Sequence, residues 1–237
     1  MHRHWEIPAT EARALILPKP CKPSFLLTMQ TVSLSHGHIL AVFFAANSAE
    51  LLKGAQWYAD ALQFCAAVSR ATGLPVSTVA GVTAALSPNN RWPRNMADAE
   101  RLCRAFSVGT ISDAAAIKVS TFNGNKKKAL QILAGDQPLE VLGGLKVRAF
   151  YQCILGDNAV CIDGHAYAIW FGGYVPTTKT PKISPKLYAS ISAAYAQAAQ
   201  TINSVMGTTY SAAQMQAITW SVWQRIRREV QTPEAGK

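Results

Sequence analysis

The stretch LEVLGGLKVRAFYQCILGDNAVCIDGHAYAIWFG, residues 139–172, guides the interpretation of the whole sequence. A Gly143-Gly144 turn leads directly to Lys146 and an apolar run, and a short polar loop then leads to Asp163 before a second apolar run. Glycines allow tight turns, and an aspartate just before an apolar run is typical of a helix N-cap. The stretch therefore predicts a turn, a lysine, a helix, a loop and a carboxylate at the start of another helix.

The same apolar spacing recurs along most of the chain. Apolar residues three and four positions apart predict amphipathic helices, and runs typical of strands are almost absent. The fold class we predict is therefore all-α. The predicted helices cover 48–72, 77–86 with Ser77 as N-cap, 92 or 94 to 106, 112–119, a segment through 127 to 133, 186–206 and 211–230. The last one ends with Arg225, Arg227 and Arg228.

The N-terminal part of the sequence has a different character. It contains four prolines, at positions 8, 18, 20 and 23, and shows no sustained periodicity. We therefore expect residues 1–36 to form an irregular N-terminal arm. The remainder, residues 37–237, is long enough for one large helical domain or two lobes that share a core.

Charge and cysteine content narrow the class of function. The 237 residues include 23 Lys and Arg against 13 Asp and Glu, a net charge of +10, which is typical of a nucleic-acid-binding protein. The five cysteines are scattered singly, as in proteins of a reducing cytoplasm. Apolar runs are too short to span a membrane. We expect a soluble, cytoplasmic protein with no membrane partner.

A first polar motif, SPNNR at 87–91, lies between two predicted helices. In its simplest interpretation it is a capped helix boundary, because Ser and Asn satisfy unpaired backbone amides there. The alternative is that a short amide on a rigid turn enters the base stack when a nucleotide is flipped out. Asn89, Asn90 and Arg91 are therefore candidate DNA-binding residues.

A second motif, NGNKKK at 123–128, places three lysines near a helix start. Such lysines usually form a solvated face. Here, however, their charges lie where the helix dipole disfavours them, and a polyanion would relieve that repulsion. Lys126, Lys127 and Lys128 are therefore candidate phosphate-binding residues.

The glycine turn and Asp163 each have two interpretations. Gly143 and Gly144 either connect two helices or let a phosphate approach the backbone amides of the following helix start. Asp163 is either an N-cap alone or a carboxylate that takes part in chemistry.

Residues 139–169 resemble the hairpin and catalytic-aspartate segment of the helix-hairpin-helix (HhH-GPD) DNA glycosylase superfamily. In that family a glycine-rich hairpin, often a lysine, a helix and a loop precede a Val/Leu-Asp-x-His/Asn pattern, which IDGHA at 162–166 matches. ALSPNN at 85–90 is similar to the family's turn that fills the space left by a flipped base. The hairpin here is degenerate, VLGGL at 141–145, and the four-cysteine iron–sulfur pattern of some members is absent.

The resemblance implies a two-lobed glycosylase-like fold without an iron–sulfur cluster, and a monomer that acts on double-stranded DNA. It implies that Asp163 stabilises the oxocarbenium-like sugar and activates water, and that Lys146 is a second catalytic candidate through a Schiff base. The interval between Lys146 and Asp163 is shorter than is usual in that family, so Asp163 is the preferred catalytic candidate. The implied DNA-binding residues are Asn89, Asn90, Arg91, Lys126, Lys127, Lys128, Gly143, Gly144 and His165. The resemblance implies no metal or organic cofactor, and it allows a monovalent cation at the hairpin.

The identity of the target base does not follow from these motifs. Glycosylases of this type either repair DNA or attack phage DNA with modified bases such as glucosylated hydroxymethylcytosine, and the divergence of this chain favours the second role. Two alternatives stay open: a phage-type transferase of the same fold that modifies bases, and a non-catalytic DNA-binding module.

Overall fold

The computed structural model describes residues 32–176 and 179–231. Within these residues the chain forms eleven helices and no strand, which confirms the all-α class. The helices are α1 (Val32–Phe44), α2 (Ser48–Thr72), α3 (Val76–Leu86), α4 (Trp92–Val108), α5 (Ile111–Ala116), α6 (Asn123–Leu133), α7 (Pro138–Val141), α8 (Leu145–Leu155), α9 (Gly164–Phe171), α10 (Pro185–Met206) and α11 (Ala212–Gln231).

Helix α2 occupies the predicted residues, but α3 begins earlier than predicted. Its N-cap is Pro75, with φ −56° and ψ 143°, and Val76 is its first residue. The prediction that Ser77 caps this helix was wrong. The physical reason is that the proline ring already fixes a φ suited to the approach to a helix.

Helix α5 is shifted relative to the predicted 112–119. Thr110 accepts a hydrogen bond from the backbone N–H of Asp113, and the Asp113 carboxylate accepts one from the Thr110 N–H, which forms a capping box. The helix therefore starts directly after Thr110 and ends at Ala116.

The predicted N-terminal arm falls mostly outside the described residues. Residues 1–31, with all four prolines, lie there. Helix α1 already begins at Val32, so the helical part of the chain starts before the predicted boundary at residue 37.

The described chain divides into two compact units. Unit 1 contains the residues up to Ala55 and those from Ile162 onward, and unit 2 contains Gln56–Cys161. In unit 1, α1 packs against α9, α10 and α11. In unit 2, α3 packs against α4, α6 and α8, and every residue from Val79 to Leu86 is buried. An all-round buried helix of this kind forms the centre of a helical core.

Two further properties concern the described residues as a whole. None of their helices combines the length and the apolar character that a membrane span requires.

The described residues contain four cysteines, all buried free thiols: Cys65, Cys103, Cys153 and Cys161. Cys21 lies outside the described residues.

Within unit 1, an ion pair connects the start of α2 to α11. Arg225 donates from Nε to Glu50 Oε1 at 2.8 Å and from Nη2 to Glu50 Oε2 at 3.2 Å, and also to the Ala45 carbonyl at 2.8 Å. Burial raises the pKa of Glu50, but hydrogen bonds from Arg225 and the backbone of Asn47 outweigh it and hold the pKa below its ordinary value. The folded state therefore favours the charged form of Glu50.

Replacing Glu50 by Gln should lower the free energy of unfolding by about 1–2 kcal/mol at pH 7, because the charged hydrogen bonds to Arg225 are lost. Since the folded pKa is lowered, this stabilisation is present at neutral pH and is lost as the pH falls below about 4.3 and through the folded pKa. Urea denaturation at pH 7 and pH 3 measures both effects. The exposed Glu140→Gln is the control, and an equal Glu50→Gln deficit at both pH values would contradict the assignment.

Candidate functional site

The N-terminus of α9 places the Asp163 carboxylate. Asp163 is the N-cap, and its Oδ1 accepts hydrogen bonds from the backbone N–H groups of His165 at 2.9 Å and Ala166 at 2.8 Å. The side chain is half-buried. Within the described residues, Oδ2 accepts no hydrogen bond. The carboxylate is thus fixed through one oxygen, and the other takes no part in the capping bonds.

Three side chains of unit 1 hold the backbone around Asp163. The hydroxyl of Tyr188 accepts a hydrogen bond from the Ile162 N–H at 3.1 Å, directly before the aspartate. The Tyr195 hydroxyl donates to the Ala166 carbonyl at 3.3 Å. His38 donates from Nδ1 to the Trp170 carbonyl at 3.2 Å, near the end of α9. Both ends of α9 are therefore tied to α1 or α10.

Tyr195 is fully buried beneath this turn. Burial raises its pKa strongly, a hydrogen bond with Thr219 opposes that rise, and the charge of Asp163 adds to it. The fold therefore favours the neutral hydroxyl, which can donate the hydrogen bond to Ala166.

The His165 ring belongs to a cluster of three side chains, together with Arg227 and Tyr174. Nη1 of Arg227 on α11 lies 3.0 Å from Nδ1 and 3.2 Å from Nε2 of the His165 ring. An arginine can only donate, so the accepting ring nitrogen carries a lone pair. The Arg227 guanidinium carbon lies 5.4 Å from the centre of the Tyr174 ring, within cation–π range. The sequence motif identified His165, but not the other two residues.

The glycine turn of unit 2 has the predicted local form. Helix α7 ends before it, and Gly144, with φ 78°, is the N-cap of α8 without a side-chain hydrogen bond. This φ favours glycine, because a side chain would be strained there. Lys146 is the second residue of α8 and is half-buried, and its carbonyl accepts a hydrogen bond from Cys161 Sγ at 3.7 Å.

The three candidate lysines of α6 differ in their surroundings. The Lys126 ammonium donates to the Ala115 carbonyl at the end of α5, whereas Lys127 is exposed. Lys128 Nζ lies 2.8 Å from the position that a Cβ on Gly143 would occupy. The structure thus brings Lys128 and the glycine turn together, and it gives Lys126 a hydrogen bond within the protein.

The turn between α3 and α4 presents one asparagine outward. Asn89 is exposed with φ 56°, and no other non-glycine residue in the described chain has positive φ. Short polar side chains tolerate this conformation best. Arg91 is also exposed and is the N-cap of α4. Asn90 is half-buried instead, and its amide donates to Asp98 Oδ2 at 3.2 Å.

Asp98 is a fully buried carboxylate that the motif analysis missed. Its Oδ2 accepts from Asn90 and from the Ser120 N–H at 2.8 Å, and its Oδ1 accepts from Arg101. The Asn89 turn, α4 and the loop before α6 therefore meet at one carboxylate. The available sequence signal was its position on the apolar face of α4, in register with Asn95, Ala99 and Leu102.

The comparisons with known proteins identify a family but no activity. The model of a family of unknown function, DUF7178, matches residues 27–227. The chain belongs to this family. Neither the curated proteins nor the solved structures contain a match.

In this DUF7178 chain, Asp98→Asn should lower the free energy of unfolding by about 2–3 kcal/mol, because an amide cannot accept from all three donors and leaves a buried polar group unpaired. Chemical denaturation measures the loss. Asp60→Asn, an exposed aspartate on α2, should change stability by less than about 0.5 kcal/mol. Equal effects for the two variants would show that the Asp98 network does not stabilise the turn.

Proposed function

We propose that the protein is a DNA glycosylase of the helix-hairpin-helix type that flips a base and hydrolyses its N-glycosidic bond. The observation that supports this most is the Asp163 carboxylate. It is held at a helix start by two backbone donors on one oxygen, while its second oxygen accepts no hydrogen bond from the described residues. The net charge of +10 fits a DNA substrate.

The proposed chemistry follows from that arrangement. As the base departs, positive charge develops on the sugar, and a fixed anionic oxygen stabilises it without reorganisation. The same oxygen orients or deprotonates the water that attacks the sugar carbon. The proton of the water passes to the carboxylate, and the departing base takes up a proton from solvent. The products are a free base and an abasic site.

The elements of unit 2 supply the proposed DNA contacts. Asn89 is exposed on a turn that the hydrogen bond between Asn90 and Asp98 holds in place. The fold therefore fixes the backbone that carries the Asn89 amide. Such an amide can hydrogen-bond the base left unpaired after flipping. Asn90 stays in the proposed DNA-binding set, and it also supports this turn. Arg91, the next residue, is exposed and belongs to the same set.

The Gly143-Gly144 turn and Lys128 form the second proposed contact. The glycines are exposed, α8 starts directly after them, and the Lys128 ammonium lies beside Gly143. Backbone amides at a helix start together with an ammonium group suit a phosphate. Lys127 is exposed on the same helix and adds positive charge, whereas Lys126 already donates within the protein.

The proposed role in defence against phage, by removal of modified bases such as glucosylated hydroxymethylcytosine, rests on the divergence of the sequence from repair enzymes. A transferase of the same fold would add mass to a base, and a binding module would leave DNA chemically unchanged. Mass spectrometry of the DNA and of the released small molecules distinguishes the three functions. Excision of oxidised, alkylated or mispaired bases alone would contradict the defence role.

Asp163→Asn should reduce base release by about 10²–10⁴-fold, because the charge that stabilises the transition state is removed. Asparagine is also a good N-cap, so the variant should keep its fold and its DNA affinity. Free base and alkali-sensitive sites are measured on DNAs that carry different modified bases. Trapping with borohydride in the same reactions gives a covalent adduct only if Lys146 forms a Schiff base.

The matched control is Asp113→Asn, which makes the same change at another capping aspartate, in the capping box of α5. This variant should release base at the wild-type rate. Full activity of Asp163→Asn would exclude Asp163 as the catalytic carboxylate.

Lys128→Gln should weaken DNA binding and reduce the slope of log affinity against log salt by about 0.9, the contribution of one phosphate contact. Fluorescence anisotropy with a short DNA duplex, at salt concentrations from about 50 to about 200 mM, measures the affinity and its dependence on salt. Lys53→Gln, an exposed lysine outside the proposed DNA-binding segments, is the control. Identical slopes for both variants would argue against a phosphate contact at the glycine turn.

A further inference from the structure

Arg227 has hydrogen-bonding capacity that the described residues of the protein do not use. It is half-buried, its Nη1 donates to the His165 ring, and its buried Nε has no acceptor among the described residues. No carboxylate of the described chain forms an ion pair with it. A partly buried guanidinium normally has an anionic partner, because loss of water around a charge costs free energy.

The neighbouring arginines of α11 show the contrast. Arg225 donates to both oxygens of Glu50 and to the Ala45 carbonyl, so its guanidinium is used within the fold. Arg228 is exposed, and its Nε donates to the Gln224 carbonyl of its own helix. Arg227 therefore differs from Arg225 in having a partly buried guanidinium that no carboxylate of residues 32–176 or 179–231 pairs with.

His165 and Tyr174 orient this group. The imidazole accepts from Nη1, and the Tyr174 ring lies 5.4 Å from the guanidinium carbon. A guanidinium held between two rings loses little conformational entropy when it binds a further group. His165 also supplies one of the two backbone N–H groups that hold Asp163, and it lies two positions along the chain from this proposed catalytic residue.

We propose that Arg227, oriented by His165 and Tyr174, binds a phosphate group. The planar guanidinium matches the oxygens of a phosphate, which accepts two parallel N–H bonds from it. This inference rests on the proposed function in one respect: on a DNA substrate, the phosphate belongs to the backbone next to the nucleotide on which Asp163 acts. Arg227 then places the sugar, and Asp163 performs the chemistry.

The test compares Arg227→Gln with Arg228→Gln, which removes the same charge one residue further along the same helix. Arg227→Gln should weaken binding of a short duplex by about 10–100-fold, as expected for loss of a charged hydrogen bond to phosphate. Arg228→Gln should weaken it by less than about threefold, since an exposed charge acts only through screened attraction. Arg227→Lys keeps the charge without the planar fork and should fall between them. Circular dichroism and thermal midpoints establish that each variant is folded, and Arg227→Lys serves as the decisive variant if Arg227→Gln does not fold.

A second measurement distinguishes the source of the phosphate. Inorganic phosphate is added to the wild type and to Arg227→Gln at constant ionic strength, and the thermal midpoints are compared. A selective loss of DNA affinity in Arg227→Gln without an effect of inorganic phosphate supports the DNA backbone as the ligand. The opposite result is that inorganic phosphate stabilises the wild type but not Arg227→Gln, while Arg227→Gln and Arg228→Gln bind DNA with equal affinity. That result overturns the DNA assignment in favour of a free phosphate.

Equal losses in Arg227→Gln and Arg228→Gln without any phosphate effect overturn the site altogether. The proposed function fails separately, in the base-release measurement with Asp163→Asn. If the wild type releases no base but Arg227→Gln still loses DNA affinity selectively, the phosphate site stands without the glycosylase activity.

Discussion

The geometry around Asp163 depends on a helix that is too short to be stable by itself. Helix α9 has eight residues, and isolated helices of that length do not persist in water. It is stable here because its ends are hydrogen-bonded to Tyr188, Tyr195 and His38. The Asp163 carboxylate in turn satisfies two of the N–H groups that any helix start leaves unpaired. The position of the carboxylate is therefore set by contacts with α1 and α10 and by its own capping bonds.

Two aspartates of this protein, Asp98 and Asp163, differ in how fully the fold surrounds their carboxylates. Asp98 is fully buried and both of its oxygens accept hydrogen bonds within the protein, so its carboxylate is not exposed to a substrate. Asp163 is half-buried and uses one oxygen for its cap. Burial with complete hydrogen bonding makes a carboxylate a structural anchor. A fixed carboxylate with one oxygen outside the capping bonds fits the preorganised charge on which the proposed function depends.

Local signals predicted much of the fold, and the long-range part could not be predicted in the same way. The helix at Ser48–Thr72 and the aspartate at the head of α9 follow from periodicity and capping, which act within a few residues. The start of α3 was missed because two local rules competed, and the proline at position 75 prevailed over the serine at 77. The hydrogen bonds of Asp98 reach as far as Ser120, 22 positions away in the sequence, and no spacing rule connects these residues.

The basic end of α11 shows the same limit at a single helix. In the sequence, Arg225, Arg227 and Arg228 form one cluster of charge at the end of the last predicted helix, and composition alone does not distinguish them. In the fold their positions around the helix differ, because successive residues are about 100° apart. Arg225 faces Glu50, Arg227 faces His165, 62 residues away in sequence, and Arg228 is exposed. The partners of each guanidinium within the fold therefore separate three arginines that the sequence presents as one cluster.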